Sequence, residues 1–93
     1  MLEIMKCLTI TTAHISEETN ERLQTEFLST RFGIPIYEKG DVGYWIYVGG
    51  DMFPTLIPAD LMRCIDLAIE HDCQWLCLDR DAEAFEDLPV YDW

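Results

Sequence analysis

Ninety-three residues carry 18 Asp and Glu against 6 Lys and Arg, a formal net charge of −12, on a chain sized for one domain and too short for two. An apolar share of 49% beside 26% charged residues excludes disordered and fibrous classes. The sign of the charge excludes nucleic acid and anionic membrane surfaces as favoured direct partners, because both repel it.

Along the chain, Lys6 to Thr12 is rich in Thr, Leu and Ile and predicts a first strand beginning near Ile4. Ser16-Glu17-Glu18 reads as a helix N-cap followed by two acids that complement the helix dipole. Leu23, Phe27 and Leu28 give that helix its apolar face, Glu18 and Arg22 a supporting i,i+4 pair, and the helix is expected to stop before Gly33. Ile34 to Glu38 predicts a short second strand, placed at a sheet edge by Pro35. The turn residues Lys39-Gly40-Asp41 join it in a hairpin to a third strand, Gly43 to Val48.

Beyond Gly49-Gly50-Asp51, a Pro54 to Pro58 loop leads into a second helix with Pro58 near its first turn. Leu61, Ile65, Ala68 and Ile69 recur at helical spacing, widened by Cys64 and Leu67. Gln74 to Asp79 predicts a fourth strand, and Leu88 to Trp93 an extended tail. Strand, helix, strand, strand, helix, strand is the ferredoxin-like βαββαβ order, so a single α+β domain over residues 1–93 is expected, with a four-stranded antiparallel sheet and both helices on one face. The other face is then open to a partner, a second copy or the tail. Alternation puts Trp45 and Tyr47 on one side of the third strand, with Trp75 and Cys77 sharing that side.

Met1 to Lys6 has an early acid and no apolar h-region, unlike a secretory signal, and Met5-Lys6 reads as a natural start with Met1 to Ile4 as a dispensable extension. No apolar run approaches the roughly 18 residues that span a bilayer. Cys7, Cys64, Cys73 and Cys77 are therefore expected as reduced thiols of a cytoplasmic protein.

Several chemistries can be weighed from residue types. Gly43-Tyr44-Trp45-Ile46-Tyr47-Val48 echoes the aromatic strand that stacks bases in RNA-binding domains of the same topology. It lacks that motif's basic residue and second small residue, and the charge opposes a phosphate backbone. Packing of a small core, or an exposed protein-binding face, suits these aromatics better. Cys73 and Cys77 are not a Cys-x-x-Cys pair, and His14 and His71 flank different elements, which argues against zinc. Asp79 and Asp81 are oxygen donors at a strand end, suited to Mg²⁺ or Ca²⁺ or to a solvated turn. Cys7, mid-strand, and Cys64, on the helix face, read as small buried hydrophobes, and His14 as a loop cap or a base. No phosphate loop, nucleophile elbow or redox motif is present in the sequence, and no cofactor is expected.

Charge position is more pointed. Residues 1–50 hold seven acids and four bases, net −3, whereas residues 51–93 hold eleven acids and two bases, net −9. Asp66 and Glu70 are a like-charged i,i+4 pair, and Glu70 and Asp72 oppose the dipole at the helix end, so stability alone does not select them. Asp79, Asp81, Glu83, Glu86 and Asp87 follow, with Arg80 alone in balance. A sphere of this chain length is about 32 Å across, a span over which duplex DNA carries about 19 charges. Gathered on one side, the acids of residues 51–93 would approach the field of one nucleic-acid strand.

Thr11-Thr12-Ala13-His14-Ile15-Ser16, Gly43 to Val48, Trp75-Leu76-Cys77-Leu78-Asp79-Arg80-Asp81 and Leu88 to Trp93 resemble a family of small, acidic, uncharacterised bacterial proteins. The resemblance spans nearly the whole chain and implies cargo of plasmids, integrative elements and prophages, with no activity and no residue role. Mobile elements carry small acidic inhibitors of host nucleases, restriction enzymes and CRISPR complexes, and by that analogy the leading expectation is a non-enzymatic protein that occupies a basic nucleic-acid-binding surface, as on a CRISPR or restriction component. Asp66, Glu70, Asp72, Asp79, Asp81, Glu83, Glu86 and Asp87 would supply the field, and Trp45, Tyr47 and Trp75 the anchors. A homodimer through the helix-free sheet face is the alternative from another class, and a metal-dependent enzyme using Asp79, Asp81 and His14 the weakest.

Overall fold

The structure is a computed structural model and describes residues 2–25, 34–52 and 54–93. Phe27, Leu28 and the expected helix stop before Gly33 lie outside the described residues. The elements are β1 (Cys7–Ile10), a 3-10 turn (Thr12–His14), α1 (Glu17–Thr25 in its described part), β2 (Ile36–Lys39), β3 (Gly43–Tyr47), a 3-10 turn (Pro54–Leu56), α2 (Ala59–Glu70) and β4 (Trp75–Asp79).

The strands form one mixed sheet in the order β1-β4-β3-β2. β2 pairs with β3 and β3 with β4 antiparallel, while β1 pairs with β4 parallel, Cys7 opposite Trp75 and Ile10 opposite Leu78. This corrects the expectation of an antiparallel ferredoxin-like sheet: β4, not β1, lies next to β3. The reason is compositional. Leu76, Cys77 and Leu78 are all buried, a continuous apolar run that suits a strand covered on both faces. β1 alternates instead, with Cys7 and Thr9 exposed and Ile10 buried, and belongs at an edge. β2 takes the other edge, as Pro35 predicts.

Ser16 caps α1, its hydroxyl accepting the Thr19 N–H at 3.2 Å. Gly40, at φ +53°, makes the β2–β3 turn, where a side chain would be strained. Gly43 has a different necessity: a Cβ there would overlap the Leu78 carbonyl oxygen of β4. Pro58 begins α2, and Leu61, Cys64, Ile65, Leu67 and Ala68 are buried as predicted. Ile69 is exposed, contrary to expectation. At about 100° per residue it falls roughly 110° from the middle of the buried stripe set by Leu61, Cys64, Ile65, Leu67 and Ala68.

One core joins these pieces. Ile10, Ile36, Tyr44, Ile46, Leu76 and Leu78 project from one face of the sheet and pack with Leu23 of α1 and with Leu61, Cys64, Ile65 and Ala68 of α2. Both helices therefore cover the same face. Burial pushes the Cys64 thiol up to about 12, keeping it a neutral apolar filler. Asp60, in the first turn of α2, ties the helices together: Oδ2 accepts the Ser16 N–H at 2.7 Å, and Oδ1 accepts from the Thr19 hydroxyl and the Leu61 N–H, both at 2.9 Å. No helix among the described residues is long and apolar enough to cross a membrane.

Candidate functional site

The register fixes what projects from the helix-free face: Cys7 and Thr9 from β1, Tyr37 and Lys39 from β2, Trp45 and Tyr47 from β3, and Trp75, Cys77 and Asp79 from β4. Tyr47 meets Trp75 edge-on, ring centres 5.1 Å apart, and Tyr37 lies 6.3 Å from Trp75 at a tilt of 45°. These are the offset geometries that aromatic quadrupoles favour. Gly49 makes room for the Tyr47 ring, since a Cβ there would come within 2.7 Å of the phenolic oxygen. The Trp75 indole N–H donates to the Met5 sulfur at 3.2 Å.

A polar pair borders this layer. The Lys39 ammonium donates to Asp79 Oδ2 at 2.8 Å and to Cys77 Sγ at 3.6 Å, and stands 5.0 Å from the centre of the Trp45 ring. The hydrogen bond to Asp79 holds Lys39 above its ordinary value, and the same bond, aided by the Asp81 N–H, holds Asp79 below the usual carboxylate range. Cys77 is fully buried within this layer. Cys7 is exposed at the sheet edge, not buried as expected, because among the described residues β1 has no strand neighbour there and no helix lies on this side. Partial burial, the leading cause, raises its thiol above the ordinary value.

The chain after β4, a tail of residues 80–93, does not cover this face. It lies along the segment after β1, held by Thr11 N–H to the Glu83 carbonyl (3.2 Å), Tyr91 N–H to the Ala13 carbonyl (2.8 Å) and the Trp93 indole N–H to the Ile15 carbonyl (2.9 Å). His14, 1% exposed, is the clamp between them. Its Nε2 accepts the Phe85 N–H at 2.8 Å, so the proton sits on Nδ1, which donates to the Pro89 carbonyl at 2.8 Å. The loop-cap reading of His14 fits this geometry.

The acids divide. Asp66, Glu70 and Asp87 line one groove between α2 and the tail, together with Arg63 and His71. Asp72, at φ 60° just after α2, and Asp81, just after β4, flank opposite ends of β4, about 16 Å of strand apart at ~3.3 Å per residue. Glu83 and Glu86 are exposed on the tail. Among the described residues, Asp79 alone of the eight expected acids is ion-paired. Its Oδ1 accepts the Asp81 N–H at 2.9 Å, a turn arrangement. His14, Asp79 and Asp81 are not assembled as ligands, and no group of three or more His, Cys, Asp or Glu among the described residues is placed to hold a metal.

Trp45, Tyr47 and Trp75 come together as the sequence suggests. Tyr37, Lys39 and Cys7 are additions. Period-2 alternation within β2 and β1 carries the signal for them, once pairing puts those strands beside the aromatics.

Fold and site define a small α+β protein with a mixed sheet, helices on one face and an aromatic surface on the other. Residues 7–93 match the C-terminal domain of a family of unknown function, DUF5983, and the chain belongs to that family. No match to a curated protein or to a solved structure was found.

Proposed function

We propose that this protein is a non-enzymatic interaction protein that engages a basic surface on a partner protein, of the kind that otherwise holds nucleic acid, with the aromatic sheet face as its contact. The observation that carries the reading is the convergence of Trp45, Tyr47, Trp75 and Tyr37 on a face that neither helix nor tail covers. Trp and Tyr are the residues that most often anchor interfaces. The net charge of −12 and the exposed, unpaired Asp66, Glu70, Asp72, Asp81, Glu83, Glu86 and Asp87 favour a basic partner. The acidic field of the whole surface raises the association rate, and anchors buried in the contact set the residence time. A carrier on mobile elements would meet such partners in host nucleases and in restriction or CRISPR components.

Capture from bacterial lysate at low and high salt, with wild type and a Trp45→Ala/Trp75→Ala variant, tests the reading. Basic proteins are expected at low salt, released at high salt and lost from the variant. Recovery of no basic partner, or of partners indifferent to salt, overturns it. A concentration-dependent dimer in sedimentation, weakened by Trp45→Ala, would assign the face to self-association instead.

A further inference from the structure

Each strand of the sheet contributes one side chain to a shallow groove on the open face: Cys7, Tyr37, Trp45 and Trp75, enclosing about 350 Å³. That is the low end of the ~300–1,000 Å³ of small-molecule sites, room for a single side chain. Its walls are three aromatic rings and a thiol. The Trp75 N–H is already donated to Met5 Sδ, so what Trp75 offers the groove is its ring rather than a hydrogen bond.

Ring faces are negative, which selects against an anion and for a cation. The molecule itself shows this chemistry, because the Lys39 ammonium stands 5.0 Å from the Trp45 centroid, within the ~6 Å of a cation–π contact. A net charge of −12 adds a field of the same preference. Between the two cationic side chains, arginine fits better: guanidinium is planar, weakly hydrated and stacks on rings, while an ammonium resists desolvation.

We propose that the groove between Cys7, Tyr37, Trp45 and Trp75 receives an arginine side chain of the basic partner. This rests on the reading above and names the group that its aromatic anchors hold.

The test is a ¹H–¹⁵N titration of the intact chain with acetyl-Gly-Arg-Gly-amide and, separately, with the uncharged citrulline counterpart, following the three indole resonances. Trp45 and Trp75 are expected to shift with the arginine peptide, several-fold more than with citrulline. Trp93, bonded to Ile15 away from this face, is the internal reference and stays still. Trp75→Leu should abolish the Trp45 shift while amide dispersion shows the fold intact, and Tyr37→Leu, at a more exposed position, should weaken it. Equal shifts with both peptides, no shift, or shifts confined to Trp93 overturn the proposal. So does a thymidine oligonucleotide that moves Trp45 and Trp75 where the arginine peptide does not. If the arginine peptide fails while salt-sensitive capture of a basic partner still depends on Trp45 and Trp75, the groove assignment falls and the wider reading stands. If the peptide binds and no basic partner is captured, the wider reading falls alone.

Discussion

The two faces of this sheet come from the same four strands and do opposite things. On one, Ile10, Ile46, Leu76 and Leu78 are buried under two helices. On the other, Trp45, Tyr47 and Trp75 are half-buried and Tyr37 is 59% exposed. Aliphatic side chains on the covered face interlock at crystal-like density and stabilise the fold. Aromatic side chains on the open face form a rigid surface with little conformational freedom left to lose on contact. Two of the thiols follow the same division, Cys64 sealed in the core and Cys7 at the open edge, while Cys77 is buried beneath the aromatic rings of the open face. Stability and recognition are thus separated by the period-2 alternation of single strands, so each can be altered without the other.

The sharpest way to break this contrast is to truncate one side chain on each face, from two different strands of the sheet. Leu76→Ala removes a fully buried side chain of central β4 and is expected to cost about 2–5 kcal/mol. Tyr37→Ala, on the open face of edge strand β2, removes a cross-strand contact and is expected to cost no more than about 1 kcal/mol. Urea midpoints for the two variants measure the difference. Equal losses would mean that the aromatic layer is a second core and not a contact surface.

A smaller effect is expected at the tail. His14→Ala leaves the Phe85 N–H and the Pro89 carbonyl without the partners they now share, a penalty of about 1–3 kcal/mol. Amide exchange at Phe85 and Tyr91 should accelerate together, because both lie on the strap that His14 clamps. Unchanged exchange at these two positions would assign the holding of the tail to the Thr11–Glu83 and Trp93–Ile15 bonds alone. The tail docks away from the aromatic face, so this variant should also leave the Trp45 and Trp75 indole resonances in place.

How much of this was legible in the sequence follows from the range of the interactions. Ser16 as a cap, Pro58 at the start of α2 and the stripe of Leu61, Ile65 and Ala68 are local, and spacing suffices for them. The pairing of β1 with β4 joins residues nearly 70 apart, and no local pattern states which of two apolar strands takes the centre. The burial of Leu76, Cys77 and Leu78 against the exposed Cys7 and Thr9 decides it, and the unbroken apolar run of β4 was the available clue. Trp45, Tyr47 and Trp75 could be grouped by alternation, but Tyr37 and Lys39 join them only through the hairpin register. Asp60 carried no recognisable signal: an acid in a first turn is common, and its bonds to Ser16 and Thr19 depend on how two helices meet.

The subtlest effect concerns the polar border of the open face. Asp79 is held below the usual carboxylate range chiefly by the hydrogen bond from Lys39, so its ionised form favours the folded state. That contribution is present above the unfolded carboxylate value of about 3.9 and is lost as pH falls through the lower folded value. Lys39, held above its ordinary value chiefly by Asp79, contributes below that ordinary value and loses its part as pH rises through the raised one. Between the two limits the pair stays charged on both sides, and the ammonium stays over Trp45. Lys39→Met should move the Asp79 titration up toward the ordinary carboxylate value, read by carboxyl ¹³C shifts, and should shift the Trp45 indole resonance at neutral pH. An Asp79 midpoint unmoved by Lys39→Met would make the Asp81 N–H the group that holds the carboxylate, leaving the Lys39 ammonium to be fixed by Trp45 and Cys77 rather than by its counter-ion.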